Sequence, residues 1–266
     1  MEVYEFDRAT AVSAQGNGRW LGEIHDGWDI GGNANGGYVL AIAGRAMREA
    51  AGRRDPITIT AHYLAPFRPG PVDIDITVVK SGRMFTTVSA SLRQGDRVGL
   101  QVLGAFGDAA EDDMEVNHGA PPELLPIDQC IPRPANNGTV PVALMQRLRV
   151  AVDPAVISDP DEPPNGTGIV EGYFEFVDDR PIDTLALLLA CDSFMPAVHT
   201  LDIPRGWVPT VELTTHVRGV PAPGPLRCRY ATRFVRGGYF EEDGELWDSE
   251  GHLVALSRQL ALVARV

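Results

Sequence analysis

The sequence predicts an α+β protein built from two similar halves, each a single buried apolar helix wrapped by an antiparallel sheet. Three observations carry this reading. Short segments recur at an offset of 154 to 156 residues, each copy follows the same order of strand, turn, apolar helix and alternating β-branched runs, and an acidic, proline-rich stretch separates the copies.

The recurrence is concrete. Thr60-Ala-His-Tyr precedes Pro69-Gly-Pro71, and Thr214-Thr-His-Val precedes Pro223-Gly-Pro225, so His62 and His216, like Gly70 and Gly224, differ by 154. Gly82-Arg-Met-Phe85 matches Gly237-Gly-Tyr-Phe240 at 155, and Gly95-Asp-Arg-Val matches Gly251-His-Leu-Val at 156, a drift that hairpin loops absorb. Each half opens with a strand, 19–25 or 170–177. One apolar helix follows, 37–51 in the first half and 183–197 in the second; both are apolar on nearly every side, as buried helices are. Alternating runs complete each half, at 57–63, 72–80, 86–93 and 97–106, then at 208–217, 226–235, 241–248 and 252–264.

Residues 108–165 hold 10 of the 21 prolines and carry 11 acids against three arginines, a net −8 out of the chain's −13. They read as an irregular connection, from Asp108-Ala-Ala-Glu-Asp-Asp to Asp161-Glu-Pro-Pro-Asn-Gly, with a strand candidate at 145–152. The halves are therefore bounded at 1–108 and 141–266, with 109–140 as the acidic connection.

Composition narrows the function. A pI near 4.8 argues against a general nucleic-acid or anionic-membrane binder, which needs excess Lys and Arg, although it leaves room for a local basic groove. Lys80 is the only lysine among 23 basic residues, which reads as genomic bias. No apolar run reaches the roughly 18 residues of a membrane span, and the first residues lack the pattern of a signal peptide, so a cytoplasmic protein is expected. Cys130, Cys191 and Cys228 are odd in number and show no C-x-x-C spacing, which suggests neither a disulfide framework nor a zinc site, and the sequons at Asn137 and Asn165 read as chance matches. There is no H-E-x-x-H, no G-x-S-x-G elbow, no phosphate loop and no dinucleotide fingerprint, so neither a metal nor a cofactor is expected.

Five segments together resemble the double-hotdog acyl-CoA thioesterases of the TesB type. They are Trp28-Asp-Ile-Gly-Gly-Asn-Ala-Asn-Gly-Gly-Tyr-Val-Leu-Ala, Gly82-Arg-Met-Phe-Thr-Thr-Val-Ser-Ala-Ser-Leu-Arg-Gln-Gly, Cys191-Asp-Ser-Phe-Met-Pro196, Pro209-Thr-Val-Glu-Leu-Thr-Thr-His216 and Val254-Ala-Leu-Ser-Arg-Gln-Leu260. The resemblance implies a double hotdog, with two antiparallel sheets, each wrapping one long apolar helix, joined as a pseudo-dimer. It also implies an acyl-CoA substrate and a homodimer or higher homo-oligomer. The family's water-activating aspartate, threonine and glutamine fall on Asp192, Thr210 and Gln259, while its acidic and histidine positions after the threonine become Glu212, Leu213 and Thr214.

Each of these residues also has a plainer reading. Asp192 follows Leu187-Leu-Leu-Ala-Cys191, so an inward placement puts a carboxylate among apolar side chains, where desolvation makes it a better base; otherwise it decorates a helix end before Pro196. Thr210 either orients water or is a good strand former, and by parity it shares a face with Glu212, Thr214 and His216. Gln259 shares a face with Ala255, Ser257 and Ala261; it either positions water and an oxyanion or is an ordinary amide. The start of the first helix, Gly36, Gly37 and Tyr38, offers backbone N–H groups to a polarised carbonyl, or else is a turn that lets helix and sheet approach closely. Arg227 and Arg229, with Arg233 and Arg236, could meet coenzyme A phosphates or line a solvated outer face. The function expected is hydrolysis of an acyl-CoA, or a related acyl thioester, to fatty acid and CoA. The alternative is a non-catalytic acyl-CoA or hydrophobic-ligand binding protein on the same fold; a hydratase needs an Asp and His pair that the sequence does not supply.

Overall fold

Nine-to-twelve-residue alternating segments bury one face each and so must pair into a sheet around the apolar helices. In the computed structural model, which describes residues 3–109, 116–136, 141–156, 164–204 and 206–264, they do. Asn137 and most of the acidic runs that open and close the connection lie outside the described residues.

The two expected sheets are continuous. One 14-stranded antiparallel sheet runs in the order Val12–Gly16, Arg19–Ile24, Gly70–Ser81, Thr86–Gln94, Arg97–Gly107, Asp55–Tyr63, then Thr210–Val217, Leu253–Leu262, Tyr239–Trp247, Leu226–Ala231, Ile169–Phe176, Leu148–Val152 and Ile131–Pro132, with Val235–Arg236 pairing Tyr239–Trp247. The halves meet where Asp55–Tyr63 pairs with Thr210–Val217. There Thr60 lies opposite Thr214, His62 opposite Glu212 and His216 opposite Thr58. Positions related by the 154-residue repeat thus face one another, and the hydroxyls of Thr60 and Thr214 bond at 2.9 Å. A pseudo-twofold axis passes through this pair, the arrangement of an isologous dimer interface. His62 and His216 occupy equivalent exposed strand positions beside the axis.

The first helix, Gly36–Ala51, starts at Asn35, whose side-chain oxygen accepts from the Tyr38 N–H, and stops at Gly52, which adopts the left-handed conformation at φ 60°. It is buried along most of its length, and Leu40, Ile42 and Met47 are wholly inaccessible, each stabilising the fold by roughly 1.5–3 kcal/mol. The second helix corrects the expectation of a long helix over 183–197. Only Ala186–Ala190 is α-helical; Asp192 and Ser193 then bond to carbonyls three residues back, and a short 3₁₀ helix follows at Ala197–Thr200. Pro196 cannot continue the ladder and disfavours a helical residue before it, and the Ser193 hydroxyl bonds back to the Leu189 carbonyl.

The strand expected over 226–235 ends at Ala231, with Thr232 still donating to the Gly168 carbonyl opposite it, and Val235–Arg236 pairs separately with Tyr239 and Phe240. Within the connection, the expected strand at 145–152 is Leu148–Val152, preceded by the 3₁₀ turn Ala143–Gln146, and it extends the second half's sheet by pairing with Ile169–Phe176. The N-terminal helix Glu5–Ala9 was not anticipated; Asp7 in it bonds Arg45 of the first half and Arg180 of the second.

The two helices cross through glycine. A Cβ on Gly37 would sit 2.7 Å from the Leu188 carbonyl oxygen and 3.0 Å from Leu189 Cα, whereas one on Gly44 would meet only the ends of Leu188 and Leu185 side chains, at 2.8 and 3.2 Å. Backbone cannot yield as a leucine rotamer can. Gly37→Ala is therefore expected to cost about 2–3 kcal/mol, and Gly44→Ala about 1 kcal/mol or less, since alanine also favours the helix. Urea unfolding midpoints check this, and the reverse order would contradict the packing.

Candidate active site

Asp192 lies in the turn after the second helix and reaches across to the start of the first. Its Oδ2 accepts from the Gly37 N–H at 2.9 Å and from Asn35 Nδ2 at 3.0 Å, while the same Asn35 nitrogen bonds the Asp192 carbonyl at 2.7 Å. Asn35 therefore caps its own helix with one end of its amide and holds the other half's carboxylate with the other. The glycines are required by the approach: a Cβ on Gly36 would lie 2.9 Å from Asp192 Oδ2 and 2.9 Å from the Tyr63 ring, and one on Gly37 2.9 Å from Asp192 Cβ. Tyr63 closes this side, donating its hydroxyl to the Gly36 carbonyl at 3.1 Å.

Burial pushes the Asp192 carboxyl up to about 6, against the opposing pull of the Gly37 N–H, the Arg133 charge, the Gly36 N–H and Asn35. The result is a carboxylate that is ionised at neutral pH yet far more basic than a solvated aspartate.

Thr210 and Gln259 form the second cluster, the Gln259 amide nitrogen donating to the Thr210 hydroxyl. Strand parity alone places Thr210 with Glu212 and Thr214. A bulge corrects this: Thr210 pairs with Ala261 but Glu212 with Leu260, so the extra residue, Val211, turns Thr210 to the buried face. Gln259 is on that face as expected, with Ala255, Ser257 and Ala261, while Leu256, Arg258 and Leu260 point outward. No hydrogen bond joins Asp192 to Thr210 or Gln259. The clusters are neighbours through Cys191, whose thiol lies against Thr215 and Ser257 on the same two strands, and which burial raises to about 11, leaving it a poor nucleophile.

The N–H groups and the tyrosine at the helix start all have partners within the chain. The Gly37 N–H is engaged by Asp192, the Tyr38 N–H by Asn35, and the Tyr38 side chain is fully buried, stacked on Trp28 at 4.9 Å with its hydroxyl on the Ala9 carbonyl. Arg227 and Arg229 alternate with Cys228 and Tyr230, and it is Tyr230 that faces inward, to the Ala190 carbonyl at 2.7 Å. The two arginines thus lie on the outer face, Arg229 paired with Glu171 and Arg227 near the Asp248 carbonyl.

Two residues at the site were missed. Arg133, from the connection, donates to the Ser193 carbonyl, and its charge acts on Asp192; burial pulls its guanidinium down to about 10, still cationic at neutral pH. The signal was available, since it is one of only three arginines in that acidic stretch. Glu242 lies directly across the ladder from Gln259, is 7% exposed, and accepts from the Ala197 N–H. Burial, reinforced by the charges of Asp192 and Asp243, pushes it up to about 7. Nothing in Glu241-Glu242-Asp243 distinguishes it beyond its inward parity. Among the described residues no three His, Cys, Asp or Glu side chains cluster as metal ligands, and no helix is long and apolar enough to cross a membrane.

Residues 24–107 match the acyl-CoA thioesterase N-terminal domain and residues 127–263 the acyl-CoA thioesterase C-terminal domain. The chain belongs to the acyl-CoA thioesterase family. A crystal structure of a candidate thioesterase II from Thermobifida fusca, 32% identical, superposes with a TM-score of 0.87 over 100% of this chain and 99% of that one. An acyl-CoA thioesterase II, TesB2, from Mycobacterium marinum shares the fold at a TM-score of 0.75 and 15% identity, covering 98% of each chain. An uncharacterised Mycobacterium tuberculosis protein is 27% identical over 262 residues, 91% of this chain and 90% of its own. The family match begins at residue 127, inside the connection, so the segment carrying Arg133 belongs to the second domain of this family member.

Arg133→Met removes the cation that favours ionised Asp192. The Asp192 carboxyl, followed by ¹³C NMR, is expected to titrate at higher pH than in the unmodified protein; an unmoved titration would show that the Arg133 charge does not reach it.

Proposed function

We propose that this protein hydrolyses an acyl-CoA, or a related acyl thioester, to the free acid and CoA, using a water activated by Asp192 and held by Thr210 and Gln259. The observation that carries the reading is the half-buried Asp192 carboxylate, basic enough to take a proton near neutral pH and fixed in direction by Asn35 and Gly37. A general base is most effective when its pKa lies near the working pH. Family membership supports the acyl-CoA substrate.

Water gives a proton to Asp192 as its oxygen bonds to the thioester carbon. Thr210, whose oxygen accepts from Gln259, has its own O–H to direct at the water or the substrate. The amide of Gln259 has a second N–H, and with the Gly37 N–H engaged by Asp192, stabilisation of the carbonyl oxygen as it becomes an oxyanion falls to this donor. The intermediate collapses by breaking the carbon–sulfur bond, and the thiolate recovers the proton from Asp192. A thioester is electrophilic enough that neither a metal nor a covalent intermediate is demanded. On this reading the protein acts in the cytoplasm, on fatty acyl-CoA, as a homodimer or higher homo-oligomer.

Thiol release from acyl-CoAs of increasing chain length tests this. Asp192→Asn is expected to lower kcat by about 10²–10⁴-fold, and Gln259→Ala by about 10²–10³-fold. The acid side of kcat/KM should rise with pH through about 6, as Asp192 ionises. Absence of turnover at every chain length, or an undiminished Asp192→Asn, would sink the mechanism, and binding without release would favour a ligand-binding role.

A further inference from the structure

Three acidic side chains on the second half's strands pair with arginine: Glu171 with Arg229, Glu175 with Arg149, and Asp243 with Arg233 and Arg258. Glu242 has none among the described residues, although it is the buried one. An ionised carboxylate without a cation is costly in the interior, so the group either stays neutral or is retained for a use.

Its surroundings define that use. From the 3₁₀ helix the Ala197 N–H meets Oε2; from the turn after the second helix comes the charge of Asp192; from strand Leu226–Ala231 comes the Tyr230 phenol; and along its own strand lies Asp243, itself held by arginines. From strand Leu253–Leu262 comes Gln259, its directly paired neighbour on the same inner face. Burial above all, and then the charges of Asp192 and Asp243, keep the proton on Glu242 up to about pH 7.

The Gln259 amide has two ends of nearly equal shape and opposite hydrogen-bonding sense, and only the N–H₂ end can donate to Thr210 or an oxyanion. We propose that Glu242 is a positioning residue that works as the neutral acid, donating its O–H to the Gln259 amide oxygen and thereby turning the N–H₂ toward Thr210. Once ionised, Glu242 is acceptor-only and draws the N–H₂ to itself, leaving the amide reversed. The inference rests on the hydrolytic reading for its kinetic consequence but not for the Glu242–Gln259 coupling.

With both carboxyls at work, kcat/KM forms a narrow bell, rising as Asp192 ionises through about 6 and falling as Glu242 ionises through about 7. Glu242→Gln keeps an acceptor for Ala197 and a permanent donor for Gln259. It is expected to stay within about 3-fold of the unmodified enzyme at pH 6, lose the falling limb, and exceed it by about 10-fold at pH 8. Glu242→Leu, which can do neither, should lower kcat about 10-fold or more at every pH with KM little changed. A purely structural role would leave the Glu242→Gln profile superimposable on the original, which overturns the inference.

A second measurement needs no turnover. The Gln259 side-chain ¹⁵N–¹H₂ signals, assigned by their loss in Gln259→Ala, should shift with pH through about 7 and become invariant in Glu242→Gln. If that titration appears while no acyl-CoA is cleaved, the coupling stands and the hydrolase reading fails. If the signals ignore Glu242, the inference fails whether or not cleavage occurs.

Discussion

The contact on which the rest depends is the one between the Gly36-Gly37 helix start and the Leu188–Asp192 stretch of the other half. Because neither glycine carries a Cβ, the second helix brings its backbone and then its aspartate against the N-terminus of the first. The helix start supplies the donors that a desolvated carboxylate needs, and the carboxylate satisfies N–H groups that would otherwise have no partner. The same two halves also meet where Asp55–Tyr63 pairs with Thr210–Val217 across the pseudo-twofold axis of the one continuous sheet. Packing, capping and the placement of the Asp192 carboxylate are one constraint.

The site's electrostatics follow from how unevenly donors are shared between two desolvated carboxyls. Asp192 receives Gly37, Asn35 and the nearby Arg133, which partly offset its desolvation, whereas Glu242 receives one backbone N–H and faces two other acids. Their proton affinities therefore separate in the order expected from environment alone, with the better-partnered group ionising first. Separate environments for the two carboxyls let Asp192 ionise at a lower pH than Glu242. The connecting segment takes part in this balance through Arg133, so residues that look like a linker bear on the Asp192 carboxyl.

Much was legible in the sequence where the signal was local. The helix expected over 37–51 is Gly36–Ala51, and alternation groups Gln259 with Ala255, Ser257 and Ala261, the face that the structure buries. The second helix was misjudged because apolar character in 183–197 persists past the point where Pro196 and Ser193 interrupt the ladder. Thr210 was misplaced because period-two parity assumes an unbroken strand, and one inserted residue, Val211, reverses everything before it. The arginines at 227 and 229 look like a phosphate site by count, yet their parity with Tyr230 sends them outward.

By itself the sequence determined a duplicated α+β chain, the order of its elements, a glycine-rich helix start, and three polar residues whose types and order resemble a water-activating set. Those features are local or repeat along the chain, and local sterics and periodicity decide them. Only the tertiary structure decided that Asp192 belongs to the other half's helix, that Thr210 turns to Gln259, and that Arg133 and Glu242 border the site. Each of these depends on residues far apart in the chain meeting through packing or through a single bulge, and no spacing along the sequence encodes such a meeting.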